Sequence, residues 1–260
     1  MRPGIVAAMA AEARILAKGP IAAGHRVQLP EGAMLQLSGI GAKRARLAAQ
    51  TLLENGATAL VSWGFAGGLD PDLSPGSLIL PESILAKDQS PYGIDPAWRE
   101  SLCDRLKPHV DLHGGVLAES PVVLASYDEK IALFQRTGAR AVDMESASIA
   151  LVAKEAGVPF LVIRAISDAA KVGIPWSALN SFDKFGRVHF SKLLPCLARR
   201  PLDLLALVRL GRNHRAARAA LAAVALYARS NLLCPPTPLT VAATIKGSLP
   251  VPAVTKGDKS

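Results

Sequence analysis

Four groups of residues in the first 170 positions are of types and spacings that do chemistry. Glu12 follows closely on the apolar run Ile5-Val6-Ala7-Ala8-Met9. A carboxylate there can move a proton, or it can simply favour the positive end of a helix. Ser38-Gly39-Ile40-Gly41 precedes a helical pattern. Its glycines let backbone N–H groups come close to an anion or a hydroxyl, and a tight strand-to-helix turn explains the same residues. It is not a full GxGxxG, because Arg44 stands where the third glycine would be. Gly64-Phe65-Ala66-Gly67-Gly68 packs three glycines into five residues. That is costly in chain entropy and fits a loop where backbone approaches a ligand, or a purely structural loop. Asp143-Met144-Glu145 and Ser167-Asp168 each place a carboxylate after an apolar run. Either Asp alone could cap a helix. Together with Glu12 they suggest a cleft holding several carboxylates, which stability does not require.

The elements that must position these groups alternate in kind. Ile5–Met9, Met34–Leu37, Ala59–Trp63, Ser77–Leu80 and Phe160–Ile166 read as buried strands. Ala42 to Asn55, stopped by Gly56, and Glu145 to Ala156 read as helices. Such alternation predicts an α/β fold with a mostly parallel sheet covered on both faces, and ligands then sit beyond the carboxyl ends of the strands. Leu204 to Tyr227 reads as an Ala/Leu/Arg-rich helix with Gly211 weakening its middle. Arg209, Arg212, Arg215 and Arg218 are spaced three apart, so each steps about 60° round the helix and the four fan over roughly half its surface. From Cys234 onward the chain is rich in proline and poor in large apolar residues, the composition of a disordered tail.

Composition bounds the class. Half of the 260 residues are hydrophobic and 20 % are charged, enough for a globular core. Three cysteines without metal or redox spacing exclude a disulfide framework and point to a reducing, cytosolic setting. No apolar stretch approaches the ~20 residues of a membrane span, and the run ending at Glu12 is too short for a signal peptide. The net charge of +9 is uneven: residues 184–229 hold ten Lys or Arg against the single acid Asp203, whereas residues 1–183 are slightly acidic. That segment suits an anionic partner. Few aromatics interleave its charges, which speaks against nucleic acid and for a membrane surface or a solvated helix.

In order and spacing, Ile5 to Glu12, Ser38 to Gly41, Gly64 to Leu69, Val142 to Ala147 and Arg164 to Asp168 resemble the nucleoside phosphorylase/nucleosidase superfamily. The methylthioadenosine/S-adenosylhomocysteine nucleosidase branch is most similar, across about residues 4–195. Ser62 to Pro71 and the Arg-rich helix further resemble the hopanoid-associated phosphorylases, a group associated with adenine removal from adenosylhopane in hopanoid side-chain biosynthesis. The resemblance implies a three-layer phosphorylase/hydrolase-like fold with a mixed, mostly parallel sheet. It implies a catalytic domain over 1–195, a basic helical extension over 196–229 and a disordered Pro-rich tail over 230–260. It also implies Asp168 as the acid that protonates purine N7 and Glu12 as the base that activates water. Glu145 is implied on the ribose hydroxyls, Met144 on the sugar, and Gly41, Gly64, Phe65, Val122, Val123 and Ser167 around the nucleoside. No metal or other cofactor is expected.

Two departures from the family pattern bear on the reaction. Phe65 stands where a small hydroxyl residue is usual, which suggests a more apolar pocket suited to a lipid tail. Val61-Ser62-Trp63 lacks the arginine with which phosphorylases hold phosphate, and Arg14, Lys43 and Arg44 are the nearby cations that remain. Hydrolysis is therefore expected. Phosphorolysis, methylthioadenosine/S-adenosylhomocysteine cleavage and a non-catalytic nucleoside-binding module are the alternatives. The expected assembly is a homodimer or higher homo-oligomer in the cytoplasm, with residues 184–229 touching the inner face of an anionic membrane and no nucleic acid bound.

Overall fold

A computed structural model describes residues 2–228 apart from 18, 20, 23, 182, 184, 188, 201 and 202. The tail expected over 230–260 and Cys234 lie outside the described residues. In chain order the elements are β1 (Pro3–Ala7), α1 (Ala10–Leu16), β2 (Arg26–Gln28), β3 (Met34–Leu37), α2 (Ala42–Glu54), β4 (Ala59–Gly68) and β5 (Leu78–Ile79). Next come β6 (Ser83–Leu85), β7 (Pro91–Gly93), α3 (Pro96–Leu106), β8 (Leu112–His113), β9 (Val116–Glu119) and α4 (Tyr127–Thr137). The last are β10 (Ala141–Asp143), α5 (Ser146–Ala156), β11 (Phe160–Asp168), α6 (Trp176–Leu179), α7 (Phe190–Arg199) and α8 (Asp203–Tyr227).

The strands form one mixed sheet around β4. β1 runs parallel to β3 and to β4, and β11 runs parallel to β4 on its other side. Their carboxyl ends therefore open at one edge. β10 is antiparallel to β4, with Val142 opposite Gly67, so it runs back along the glycine stretch and delivers Asp143 toward Gly64. Apolar side chains on both faces bury these strands, Ile5, Leu35, Leu60, Val61, Leu161 and Ile163 being fully inaccessible. Along β4, alternation sends Ser62 toward α5, while Trp63 and Phe65 face α1 and α8.

Two expectations change. Gly64–Gly68 is strand rather than loop: β4 continues through it because Gly64 to Gly67 pair with β11 and Gly67–Gly68 pair with β10. The Arg-rich helix is no appendage. Its Ala217, Leu221 and Val224, and Ala228 just past its end, are buried in the main core cluster, and α8 packs on β11 and α1. A boundary at 195/196 would cut α7 in its middle. Gly211 does not interrupt α8, since one glycine costs only about 1 kcal/mol and the helix is held by packing.

Candidate active site

Glu12 lies in the first turn of α1 with its carboxyl group turned into the protein. Its Oε2 accepts the N–H of Met9 at 2.7 Å and its Oε1 accepts the N–H of Phe65 at 2.8 Å. Trp63 Nε1 donates to the Glu12 carbonyl at 3.2 Å, which fixes the helix turn on β4. Burial pushes the Glu12 carboxyl above the usual carboxylate range, against the pull of Arg164 and of the two N–H groups.

Arg164 stands level with Gly64 in the β11–β4 register and is buried. Its guanidinium binds Asp143 Oδ2 through Nε at 2.8 Å and Nη2 at 2.6 Å, and Nη2 also donates to Ser62 Oγ at 2.7 Å and Ser146 Oγ at 3.1 Å. Asp143 further accepts the Ser146 N–H at 3.2 Å and the Ser146 hydroxyl, so it satisfies the first N–H of α5 from two residues before the N-cap, Glu145. A Cβ at Gly64 would overlap both the Glu12 carboxyl and Arg164 Nη1, so the two groups meet over that glycine.

Glu145 is buried at the start of α5. It accepts the Gly41 N–H at 2.8 Å through Oε1 and its neighbour Met144 N–H at 3.3 Å through Oε2. The anion approached by the Ser38–Gly41 turn is thus the protein's own Glu145. Burial and the adjacent Asp143 push the Glu145 carboxyl up to about 8, with Arg164 opposing. Three carboxyl groups (Glu12, Asp143 and Glu145) share one guanidinium, so full ionisation leaves a surplus of negative charge.

Asp168 ends β11 after a register shift in the β11–β4 pairing, which re-aims the residue. Its carboxyl lies against Gly67, where a Cβ would sit 3.3 Å from Oδ2. Oδ1 accepts the Ser167 hydroxyl at 2.7 Å and Oδ2 accepts Lys130 Nζ at 2.5 Å. Burial raises the Asp168 carboxyl, opposed by Lys130 and by the Ser167 hydroxyl. Gly64 and Gly67 are three residues apart on one strand, roughly 10 Å.

The sequence-predicted residues divide. Glu12, Gly41, Gly64 and Glu145 gather around Arg164, with part-buried Met144 beside Glu145, while Ser167 and Asp168 form a second group at Gly67, three residues further along β4. Val122 and Val123 lie on the loop after β9, 60 % and 46 % exposed, and Ser120 ties that loop to Asp143 through backbone. Phe65 enters only through its N–H. Its ring is on the opposite face of β4, 4.6 Å centroid to centroid from His214 of α8, so it cannot line the pocket as its bulk suggested. Arg14, Lys43 and Arg44 are exposed, and Arg44 donates to its own turn at the Ile40 carbonyl. The cations at the site are instead Arg164 and Lys130, whose roles sequence reasoning missed. Their signal was present: each is a charge inside an apolar pattern, Arg164 in a buried strand and Lys130 on the inward stripe that includes Leu133. A cavity of about 350 Å³ lies between β6, β9 and α4, and none of Glu12, Glu145 or Asp168 lines it. Among the described residues no three His, Cys, Asp or Glu side chains gather as a metal site.

The sequence model of the phosphorylase superfamily matches residues 4–189, more than half of the chain. A 5′-methylthioadenosine/S-adenosylhomocysteine nucleosidase of Oceanobacillus iheyensis is 28 % identical over 171 residues, covering 58 % of this chain and 73 % of that protein. An aminodeoxyfutalosine nucleosidase of Helicobacter pylori is 31 % identical over 141 residues, covering 47 % and 59 %. Among solved structures, the Helicobacter pylori 5′-methylthioadenosine/S-adenosylhomocysteine nucleosidase with butyl-thio-DADMe-Immucillin-A superposes with a TM-score of 0.66 at 20 % identity, over 89 % of this chain and 97 % of that one.

Proposed function

The chain belongs to the phosphorylase superfamily, and on that premise we propose that it is a purine nucleosidase that hydrolyses the N-glycosidic bond of an adenosine-type substrate and releases adenine. The observation that carries this reading is the pairing of two buried carboxyl groups, Glu12 and Asp168, along one glycine-rich strand. Cleavage passes through a ribosyl oxocarbenium ion, and adenine leaves poorly unless protonated. Asp168, whose carboxyl burial raises against the pull of Lys130, donates to purine N7. Glu12 takes a proton from the attacking water. Glu145 accepts from the ribose 2′- and 3′-hydroxyls, and Met144 packs on the sugar. Burial and the like charge of Asp143 favour the protonated form of Glu145 in the ground state, and positive charge developing on the sugar ring would favour its ionised form, so the cluster favours the transition state over the ground state.

The same charge balance favours water over phosphate as the nucleophile. Among the described residues Arg164 is the one cation in the Glu12–Glu145 cluster, and Asp143 and two serine hydroxyls already hold it. An entering phosphate dianion would meet Glu12 and Glu145. The exposed Arg14, Lys43 and Arg44 do not change that.

The finer substrate is an adenosyl lipid such as adenosylhopane. Two features support it. Leu204, Leu205 and Val208 are exposed on the first turns of α8, next to Arg209 and Arg212, the combination with which a helix meets an anionic membrane surface. Val122 and Val123 are exposed on the loop that Ser120 ties to Asp143, and would give the site an apolar lip. No described helix is long and apolar enough to cross a membrane, so α8 would lie on the surface.

The test is product analysis by mass spectrometry with adenosine, 5′-methylthioadenosine and adenosylhopane, in phosphate and in phosphate-free buffer. Free adenine and a reducing sugar in both buffers are expected. A sugar 1-phosphate formed only with phosphate would overturn hydrolysis, and absence of adenine from all three would overturn the purine nucleosidase reading.

A further inference from the structure

Lys130 is fully buried on α4, with its ammonium group 2.5 Å from Asp168 Oδ2, 3.0 Å from the Ala169 carbonyl and 3.1 Å from the Val172 carbonyl. Three acceptors surround one Nζ, an arrangement that an ammonium group satisfies with its three N–H donors. α4 does not need this charge. Ser126 and Glu129 form a capping box at its start, and Gly138 in the left-handed region closes its end. Leu133 serves the same inward stripe without a charge. An apolar side chain at 130 would fill the space without the desolvation cost of a buried cation. The cation therefore has a use beyond packing, and its ionic partner is the acid of the proposed reaction.

We propose that Lys130 is a positioning residue for Asp168: it holds the carboxyl group against Gly67 and is the counter-charge that receives the carboxylate when the proton leaves. This rests on reading Asp168 as the proton donor. In the step, the Asp168 O–H bond breaks and an N7–H bond forms. The C1′–N9 bond breaks with its electron pair going to the purine, and Lys130 keeps all three protons. Without Lys130 the departing proton would leave an unpaired anion in a buried site, and the transfer would be opposed by the full cost of that charge. With it, Asp168 is a stronger acid whose protonated range ends at lower pH. The groups facing Asp168 leave this role to Lys130. From β11 there is the Ser167 hydroxyl, from β4 the backbone of Gly67, and from α4 Lys130, while Arg164, Glu12, Asp143 and Glu145 form the separate cluster at Gly64.

The experiment compares wild type with Lys130→Met, Lys130→Gln and Lys130→Arg. For general acid catalysis worth about a hundredfold or more, loss of the counter-charge should lower kcat on 5′-methylthioadenosine at least about tenfold in the two neutral variants. Their alkaline limb should move up by about one pH unit or more. Lys130→Arg should keep the limb within half a unit of wild type (about 0.5) and recover most of kcat, because it restores the charge. On 4-nitrophenyl ribofuranoside, whose phenolate leaves without a proton, the neutral variants should lose at least tenfold less, roughly, than on the purine substrate. An unchanged alkaline limb in a folded neutral variant overturns the proposal. Two readouts are independent of the nucleosidase reading. The Asp168 carboxyl carbon, assigned with Asp168→Asn, should titrate at higher pH in Lys130→Met by NMR, and an unmoved titration sinks the counter-charge. In wild type, the Lys130 side-chain nitrogen should appear as an ammonium at pH 7, and a neutral amine there sinks it even if both neutral variants fail to fold.

Discussion

Gly64 sits in extended strand, outside the left-handed region, so any residue could adopt its backbone conformation. Its lack of a Cβ matters because that space is filled by the Glu12 carboxyl on one side and by Arg164 on the other. Gly64→Ala should therefore leave the sheet paired and push the base and its guanidinium neighbour apart. A displacement of about 1 Å can cost on the order of a hundredfold in rate, and that is the expected loss in kcat. The measurement is kcat beside a thermal melt, and wild-type turnover in Gly64→Ala would show that Glu12 need not lie over this strand. The three glycines are legible in the sequence as places of close approach. The approaching groups were misjudged, because Gly64 and Gly67 make room for the protein's own Glu12 and Asp168, and Gly41 donates to its own Glu145. Spacing alone cannot tell an internal carboxylate from a bound anion, since both need a bare N–H or a missing Cβ.

At the scale of elements, α8 has two faces with different work. Ala217, Leu221 and Val224 hold it in the core and His214 covers the Phe65 ring, while Arg209, Arg212, Arg215 and Arg218 all remain exposed. Replacing the four arginines by Gln should weaken binding to anionic vesicles, and added salt should weaken wild-type binding in the same way, because exposed charges are screened over about 8–10 Å. Cleavage of a water-soluble adenosine should stay within about twofold of wild type, surface substitutions usually being near neutral. Lost cleavage with vesicle binding intact would place the arginines in the folded body and end the membrane role of α8. The strands and helices around the site were legible from apolar runs and glycine stops: β3 and α2 fall within a residue of their sequence limits. β10 is not legible as a strand of its own, because three residues carry too little periodicity, yet its antiparallel run brings Asp143 and Glu145 to Arg164. The glycine stretch misled for a related reason. Low strand propensity was outweighed by neighbours pairing on both sides of β4, a tertiary effect that local sequence does not contain.

For the molecule as a whole, the carboxyl cluster makes folding take up protons. Glu145 titrates at about 8 in the fold against 4.5 for an unperturbed glutamate, and Glu12 and Asp168 are raised as well. Between those values the folded chain holds a proton that the unfolded chain has released, so stability must fall as pH rises from about 5 to about 8. Below about 4.5 the Glu145 carboxyl is protonated in both states, so its slope with pH vanishes and its stabilising contribution is at its plateau. Asp70 and Asp111, lowered by hydrogen bonds and charged neighbours, act only below the ordinary carboxylate range. His214 acts in the opposite sense near pH 6.5, because burial holds it neutral in the fold while the unfolded chain is charged. Comparison with Glu145→Gln isolates the cluster from that histidine. At pH 5 the two proteins should melt at similar temperatures, and the variant should become progressively the more stable as pH rises to 8, since it retains the Gly41 hydrogen bond without the like charge beside Asp143. A melting difference that stays constant from pH 5 to 8 would show that Glu145 is ionised throughout and that the site carries no stored repulsion. If the repulsion is there, a ligand with a fixed positive charge at the sugar position should flatten the wild-type slope, because it supplies in the ground state the charge that the reaction develops only in its transition state.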